Sequence, residues 1–201
     1  MLIKNFSEYD FLERYALLEN NARILNAGSS SVRYGNNCVN IDVQEKLGVD
    51  VVCDVHSLPE SLGKFDAIIC NGMLQYCQTP NLVAQQFHQV LKKDGYLFVD
   101  APWVQPFCQD ETIPDRYRYS AIALRGIFSN FDIVECAPSI RPGSAFYLLG
   151  RHIADNMTRN KYINTLLNQI AGLFLYPFRA IRTVNEHKTA GAFYLIGQKT
   201  E

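Results

Sequence analysis

Neither sign of charge dominates this 201-residue chain: 19 lysines and arginines stand against 20 aspartates and glutamates, a formal net charge of −1. That balance gives no overall basic field for nucleic acid or anionic lipid, so no nucleic-acid partner is expected. The six cysteines, Cys38, Cys53, Cys70, Cys77, Cys108 and Cys136, form no Cys-x-x-Cys pair. Zinc and a disulfide framework are thereby disfavoured; Cys38, Cys53 and Cys70, inside or beside apolar runs, read as small buried hydrophobes. No metal site is expected. Phosphate cradles are also missing: there is no Gly-x-x-x-x-Gly-Lys and no Gly-x-Gly-x-x-Gly, because Gly28 is followed by Ser29-Ser30-Ser31. A pyrophosphate ligand is therefore disfavoured. The N-terminus shows no basic region leading into an apolar run, so no secretory signal is expected and a reducing cytoplasm is the expected compartment. No repeat or low-complexity tract occurs. What remains, 48% hydrophobic and 19% charged residues, suits one folded domain with a buried core.

The stretch from Arg23 to Asp42 organises the rest. An apolar run, Ile24-Leu25, turns through Ala27-Gly28-Ser29 and climbs into Cys38-Val39-Asn40-Ile41, which stops on Asp42. Strands buried on both faces of a parallel sheet read as short apolar runs. Ser29 to Asn37 is too short and polar for a crossover helix, so a loop or single turn is expected there. Further strands are predicted at Asp50–Cys53, Phe65–Cys70, Tyr96–Ala101, Phe131–Glu135 and Ala192–Gln198. Helices are predicted over Ser7–Glu19, capped by Ser7 with Asp10 three residues on, over Asn81–Lys92, and over Ser120–Ser129. Trp103 to Asp115 is a long polar-aromatic loop with prolines at its joints, and such loops are usually functional. From Arg141-Pro142-Gly143-Ser144 onward a helical region carries one apolar stripe through Ile163, Leu166, Leu167, Ile170, Leu173, Phe174, Phe178 and Ile181. The expected architecture is α/β: a Rossmann-like seven-stranded mostly parallel sheet, helices on both faces, and a helical insert before the last strand. Within a single domain, residues 1–20 hold the N-terminal helix, 21–142 the ligand-binding core, 143–189 the insert or lid, and 190–201 the last strand.

In an open parallel sheet ligands sit at the carboxyl ends of the strands, which here carry Gly28, Asp42, Asp54 and Asn71-Gly72. A carboxylate accepts hydrogen bonds from both hydroxyls of a ribose, a second suits an exocyclic amine, and a glycine lets backbone approach the ligand. The set fits an adenosine without phosphates.

These segments resemble the class I S-adenosylmethionine-dependent methyltransferases. Ile24-Leu25-Asn26-Ala27-Gly28-Ser29 is similar to the glycine-containing first motif, Val39-Asn40-Ile41-Asp42 to the ribose-binding strand end, and Asp54-Val55-His56-Ser57-Leu58-Pro59 to the adenine-side loop. Phe65 to Asn71 is similar to the fourth motif, and Val90 to Leu97 to the helix, turn and fifth strand. The likeness runs from about Asn21 to Glu135 and resumes near Gly191. It implies S-adenosylmethionine as cofactor, held by Asn26, Ala27, Gly28, Ser29, Asp42, Val43, Asp54, Val55, Asn71, Gly72, Met73 and Tyr76. A narrower likeness, through Ala101-Pro102-Trp103-Val104-Gln105-Pro106-Phe107 and Pro114 to Ser120, is to a bacterial branch associated with surface-polysaccharide and glycan clusters. It implies O-methylation of a glycan or small-molecule acceptor. The chain departs from these patterns at Asn26, where an acidic residue is usual, at Gln75-Tyr76, where Glu-His is frequent, and at Cys108, where the branch usually has histidine.

Methyl transfer to oxygen benefits from a general base. His56, Asp100, Cys108 and Asp115 are the candidates near the strand ends, with Asp115 and His56 preferred; the structural alternative for Asp115 is an ion pair with Arg116 or Arg118. Trp103, Tyr117 and Tyr119 are candidates for an acceptor groove. The stripe over 160–182 is expected to serve as a lid or homodimer face, with peripheral membrane contact as the alternative. Two other functions stay open at this stage. One is a weakly active or inactive methyltransferase-like protein that binds cofactor or a partner protein through the insert. The other is a nicotinamide dinucleotide oxidoreductase.

Overall fold

Seven strands form one sheet in the computed structural model, which describes residues 5–29, 32–107 and 112–200. They are β1 (Ile24–Ala27), β2 (Cys38–Asp42), β3 (Val51–Val52), β4 (Phe65–Asn71), β5 (Leu91–Pro102), β6 (Asp132–Ile140) and β7 (Ala192–Gln198), in spatial order β3-β2-β1-β4-β5-β7-β6. All neighbours run parallel except β7, which is antiparallel to both β5 and β6. The expected fold class is therefore the observed one. Order reverses on either side of β1, between β2 and β4, and that reversal opens the crevice at the strands' carboxyl ends.

The two faces are covered unequally. On one face α2 (Pro80–Val90) and α3 (Ala121–Ile127) pack Val83, Phe87, Leu124 and the following Phe128 onto Leu25, Ile68, Leu97 and Leu195. On the other, α1 (Glu8–Arg14) lays Phe11 and Leu12 on Ile24, Ile69, Phe98 and Ile196. Phe87 is wholly buried. Phe87→Ala is expected to cost about 3–5 kcal/mol of unfolding free energy, measured by urea titration, because the cavity left under α2 can close only in part.

Several boundaries differ from the sequence reading for local reasons. The Asp10 carboxylate accepts the Ser7 N–H at 2.8 Å and the Ser7 hydroxyl at 2.6 Å, fixing the start of α1. The helix ends at Arg14 rather than Glu19 because the chain turns through Ala16, at φ +50°. That turn lets Tyr15 lie against Tyr96, ring centroids 4.0 Å apart, and drops Leu17 into the core. Helix α2 stops at Val90 and the chain is already extended at Leu91, which pairs with Phe65. Strand β6 runs past the expected end at Glu135 to Ile140, through Ala137-Pro138-Ser139. At the sheet's edge a proline need not donate to a ladder, and the register shift between Pro138 and Ile140 absorbs it.

Between β1 and β2 no helix or strand is found among the described residues, as expected; Ser30 and Ser31 lie outside them. The insert between β6 and β7 is a helical hairpin, α4 (Pro142–Asp155) and α5 (Lys161–Leu175), continued by a 3-10 turn at Tyr176–Ala180 and a short α6 (Glu186–Thr189). Pro142 stands at the first position of α4, where its missing N–H costs nothing. The insert begins and ends at one point: the Gly191 N–H donates to the Ile140 carbonyl at 2.7 Å. Because β6 ends where β5 ends, the insert rises from the edge that carries the carboxyl ends of the parallel strands.

Candidate functional site

The carboxyl ends of β1, β2 and β4 surround a cavity of about 500 Å³. Gly28 forms its floor, Asp42 and Val43 one wall, and Asp54, Val55 and His56 another; Asn71, Gly72, Met73 and Tyr76 close the side toward β5. Thr112, Ile113 and Pro114 of the long loop cross the mouth, tied down where Gln44 Nε2 donates to Thr112 Oγ1 at 2.9 Å.

Gly28 has φ +70°, and a Cβ there would sit 2.4 Å from Met73 Cγ. Both the left-handed backbone and the close approach of Met73 demand glycine. The Gly28 and Ser29 amides both donate to the Ile41 carbonyl, which draws the turn after β1 onto the end of β2 and places Gly28 beside Asp42. Asp42 is buried at 7% exposure, and its Oδ1 accepts the Gln44 N–H at 3.0 Å. Burial pushes the Asp54 carboxyl up, but two bonds from His56, backbone and side chain, outweigh it and hold the group below the usual carboxylate range.

Nine of the expected cofactor residues thus meet around one cavity: Gly28, Asp42, Val43, Asp54, Val55, Asn71, Gly72, Met73 and Tyr76. Three do not line it. Asn26 lies on the α1 face, where its Nδ2 donates to the Val32 carbonyl at 2.8 Å and to Asn40 Oδ1 at 3.2 Å. It holds the loop that replaces a crossover helix. Ala27 is buried in the core on the α2 side, and the Ser29 side chain is buried away from the cavity. Lys46, Cys53, Cys77 and Thr112–Pro114 line it without having been singled out for it. No local motif marks them; they arrive through loops whose course depends on tertiary packing.

Both preferred bases are engaged by neighbouring groups. His56 lines the cavity, but its Nδ1 lies 2.6 Å from Asp54 Oδ1 while Nε2 accepts the Thr79 N–H at 3.2 Å. The ring is thereby fixed as the Nδ1–H tautomer and braces the Asp54 loop against the start of α2. Asp115 is not among the cavity's lining; Arg118 grips both of its oxygens, Nη1 at 2.5 Å and Nη2 at 2.7 Å. This is the ion pair that its sequence position allowed. Arg118 also reaches the Pro106 carbonyl at 3.0 Å, so the pair shapes the loop. Tyr119 is buried with its hydroxyl on the Leu74 carbonyl, whereas Trp103 and Tyr117 are partly exposed, at 38% and 41%. Burial holds the Cys70 thiol far above its ordinary range and pushes Cys77 up to about 12, so neither is a nucleophile near neutrality. Cys108 lies outside the described residues.

Asp100 is placed differently. In the sheet register Asn71, Asp100, Tyr194 and Ala137 form one row across β4, β5, β7 and β6. Tyr194 and Ala137 pack with the α1 face, and the strand alternation through Ile69 and Phe98 sets Asn71 and Asp100 on that face too. Asn71 lines the large cavity, while Tyr194 and Ala137 line a second one of about 330 Å³ beside α1. Asp100 lies on the strand between them, ~5 Å from either neighbouring strand, behind the walls and lining neither cavity. Burial pushes its carboxyl up to about 7, the Ser139 hydroxyl offsetting part of the shift and Glu8 adding to it. In the second cavity Arg141 Nη1 and Asn5 Oδ1 are buried without a protein partner among the described residues. They offer a donor and an acceptor to a polar ligand. Phe6 stacks on Tyr194 there, ring centroids 4.4 Å apart.

Comparison with known proteins places this geometry. The methyltransferase domain family matches residues 22–99, the segment from just before β1 into β5 that builds most of the large cavity. No curated protein matches the chain in sequence. Among solved structures it is similar to a SAM-dependent methyltransferase from Archaeoglobus fulgidus, 13% identical, covering 94% of this chain and 91% of that one at a TM-score of 0.53. It is also similar to the Burkholderia thailandensis 1,6-didemethyltoxoflavin N1-methyltransferase with bound 1,6-didemethyltoxoflavin and S-adenosylhomocysteine, 15% identical, covering 92% and 76% at a TM-score of 0.52. A third is the [4+2]-cyclase SpnF, 16% identical, covering 99% and 87% at a TM-score of 0.53.

Proposed function

We propose that this chain, an S-adenosylmethionine-dependent methyltransferase by its matched domain and its sheet, passes the methyl group to an oxygen of a small-molecule or glycan acceptor. The cavity supports the cofactor: a buried carboxylate ends β2, and a Cβ on Gly28 would fill the floor. S-adenosylmethionine supplies, when bound, a methyl group on positively charged sulfur. In this reading Asp42 accepts from the ribose hydroxyls, and Asp54 and Val55 border the adenine with His56 bracing them. Gly28 leaves room for the remaining chain, Gly72, Met73 and Tyr76 close the wall, and Asn71 bounds the side toward Asp100 and the second cavity.

The observation that carries the acceptor assignment is the register row. Asp100 stands between the cofactor cavity and the polar cavity at Arg141, Asn5 and Tyr194. In this reading the acceptor would occupy that second cavity and Asp100, behind its wall, would take the hydroxyl proton; the new carbon–oxygen bond would replace the sulfur–methyl bond, leaving S-adenosylhomocysteine. Exposed Trp103 and Tyr117 support a sugar face at the same edge. Holding both reactants in line supplies about 7–11 kcal/mol of the barrier, so the base has only a modest part.

The test of the cofactor half is calorimetry with S-adenosylhomocysteine. Wild type is expected to bind, and Asp42→Ala to bind ~10- to 150-fold more weakly, the worth of hydrogen bonds to a charged acceptor. Unchanged affinity in Asp42→Ala removes the ribose assignment. A second reading, a methyltransferase-like protein without turnover, draws on Asn26 at an ordinarily acidic position and on a fold that also serves a cyclase. Methylated product in an extract supplied with labelled cofactor excludes it.

A further inference from the structure

The insert is turned inside out for a water-soluble hairpin. Helix α5 has no buried residue. Its half-buried residues are Asn164, Leu167, Asn168, Ala171, Gly172 and Leu175, mostly polar or small, and the helix is pinned to α4 where Arg151 Nε donates to Asn168 Oδ1 at 2.7 Å. The larger apolar side chains, Leu166, Ile170, Leu173 and Phe174, face outward at 44–76% exposure. Phe178 and Ile181 after the helix are also partly exposed, Phe178 with its ring against Phe146 of α4. Contiguous apolar surface of this kind marks an interaction site.

Charge identifies the occupant. The chain's overall balance conceals a local excess: from Asn156 to Asn185 the sequence holds Arg159, Lys161, Arg179 and Arg182 and no Asp or Glu. The cations lie at the two ends of the apolar stripe and Tyr162 and Tyr176 stand beside them, an arrangement suited to a headgroup layer over acyl chains. A second copy fits less well, since a two-fold contact would set this all-cationic patch against itself. Among the described residues no helix is long and apolar enough to cross a membrane.

We propose that the outward face of α5 and the turn after it lies on an anionic lipid surface, with Leu173 and Phe174 entering the interface and Arg182 at the headgroups. The insert rises from the edge that carries the cofactor cavity, so docking brings that edge to the lipid. The surface stands independently of how the acceptor reacts.

The experiment is sedimentation of the full chain with vesicles of mixed phosphatidylglycerol and phosphatidylcholine, against phosphatidylcholine alone. Wild type is expected to sediment with the anionic vesicles, at least about tenfold more strongly than with neutral ones, and to release as salt rises. The double variant Leu173→Asp, Phe174→Asp and the single variant Arg182→Glu are each expected to weaken binding at least about fivefold. These side chains are exposed, so folding is retained, and circular dichroism checks it. Equal sedimentation of wild type and both variants overturns the proposal. So does a wild-type dimer in analytical ultracentrifugation that the double variant abolishes while no vesicle binding is seen.

Discussion

Replacing Asp100 by asparagine is expected to lower kcat by about 10²–10⁴-fold, the usual worth of a general base, while leaving S-adenosylhomocysteine affinity unchanged. The pH dependence carries the stronger signature. A base works as the carboxylate, and burial pushes this one up to about 7. Wild-type kcat should therefore climb as pH rises toward 7 and level off above it, and the Asp100→Asn profile should be flat across that limb. Stability moves the other way. A carboxyl whose folded-state value lies above its unfolded value of about 3.9 favours the protonated native state. Its stabilising influence is complete below about pH 4 and is lost as pH rises through about 7. Asp100→Asn should therefore unfold at higher urea than wild type at pH 8, and the advantage should vanish in acid. Lower activity together with higher stability at pH 8 separates a proton acceptor from a strut, whose loss would weaken both. An unchanged pH profile would dismiss Asp100 as the base and return attention to the loop over residues 112–119.

Gly28→Val should abolish measurable S-adenosylhomocysteine binding, a loss of roughly 100-fold or more in affinity. Two costs coincide. At φ +70° a side chain adds about 1–2 kcal/mol of backbone strain, and its Cβ meets Met73 Cγ at 2.4 Å and Met73 Cβ at 2.7 Å. Met73 must swing, and the space it swings toward is the cavity. Because its side chain is flexible, the companion Gly28→Ala, Met73→Ala should recover part of the binding that Gly28→Ala alone loses. No recovery would mean that backbone strain decides the matter alone. Calorimetry on wild type, Gly28→Ala, Met73→Ala and the double variant separates the two costs in one cycle.

The parallel half of the sheet was legible because its strands centre on short apolar runs, two of which end on a polar residue. Asp42 after Ile41 and Asn71 after Cys70 mark strand ends in the sequence and line the cavity in the structure. Pattern alone could not tell which residues near those ends turn inward. Asn26, one position from Ala27, points to the opposite face because strand residues alternate, and it serves the loop at Val32. His56 and Asp115 have the chemistry of bases, but partners remote in sequence or fixed by loop course, Thr79 for one and Arg118 for the other, occupy them. Asp100 became the stronger candidate only through the register of β5 with β4 and β7, information that exists once strands are paired. The stripe over 160–182 was visible as helical periodicity, yet its direction was not. Periodicity shows that a helix has an apolar side and leaves open whether that side meets the protein.

The hydrogen bond that joins Ile140 to Gly191 closes the sheet beneath the insert before the hairpin begins. The hairpin between Arg141 and Glu186 can therefore change length or composition without disturbing the strands that hold Asp42 and Asp100, while those two residues stay to line the second cavity. A chimera spliced just inside them would exchange the presented surface and keep the cavity.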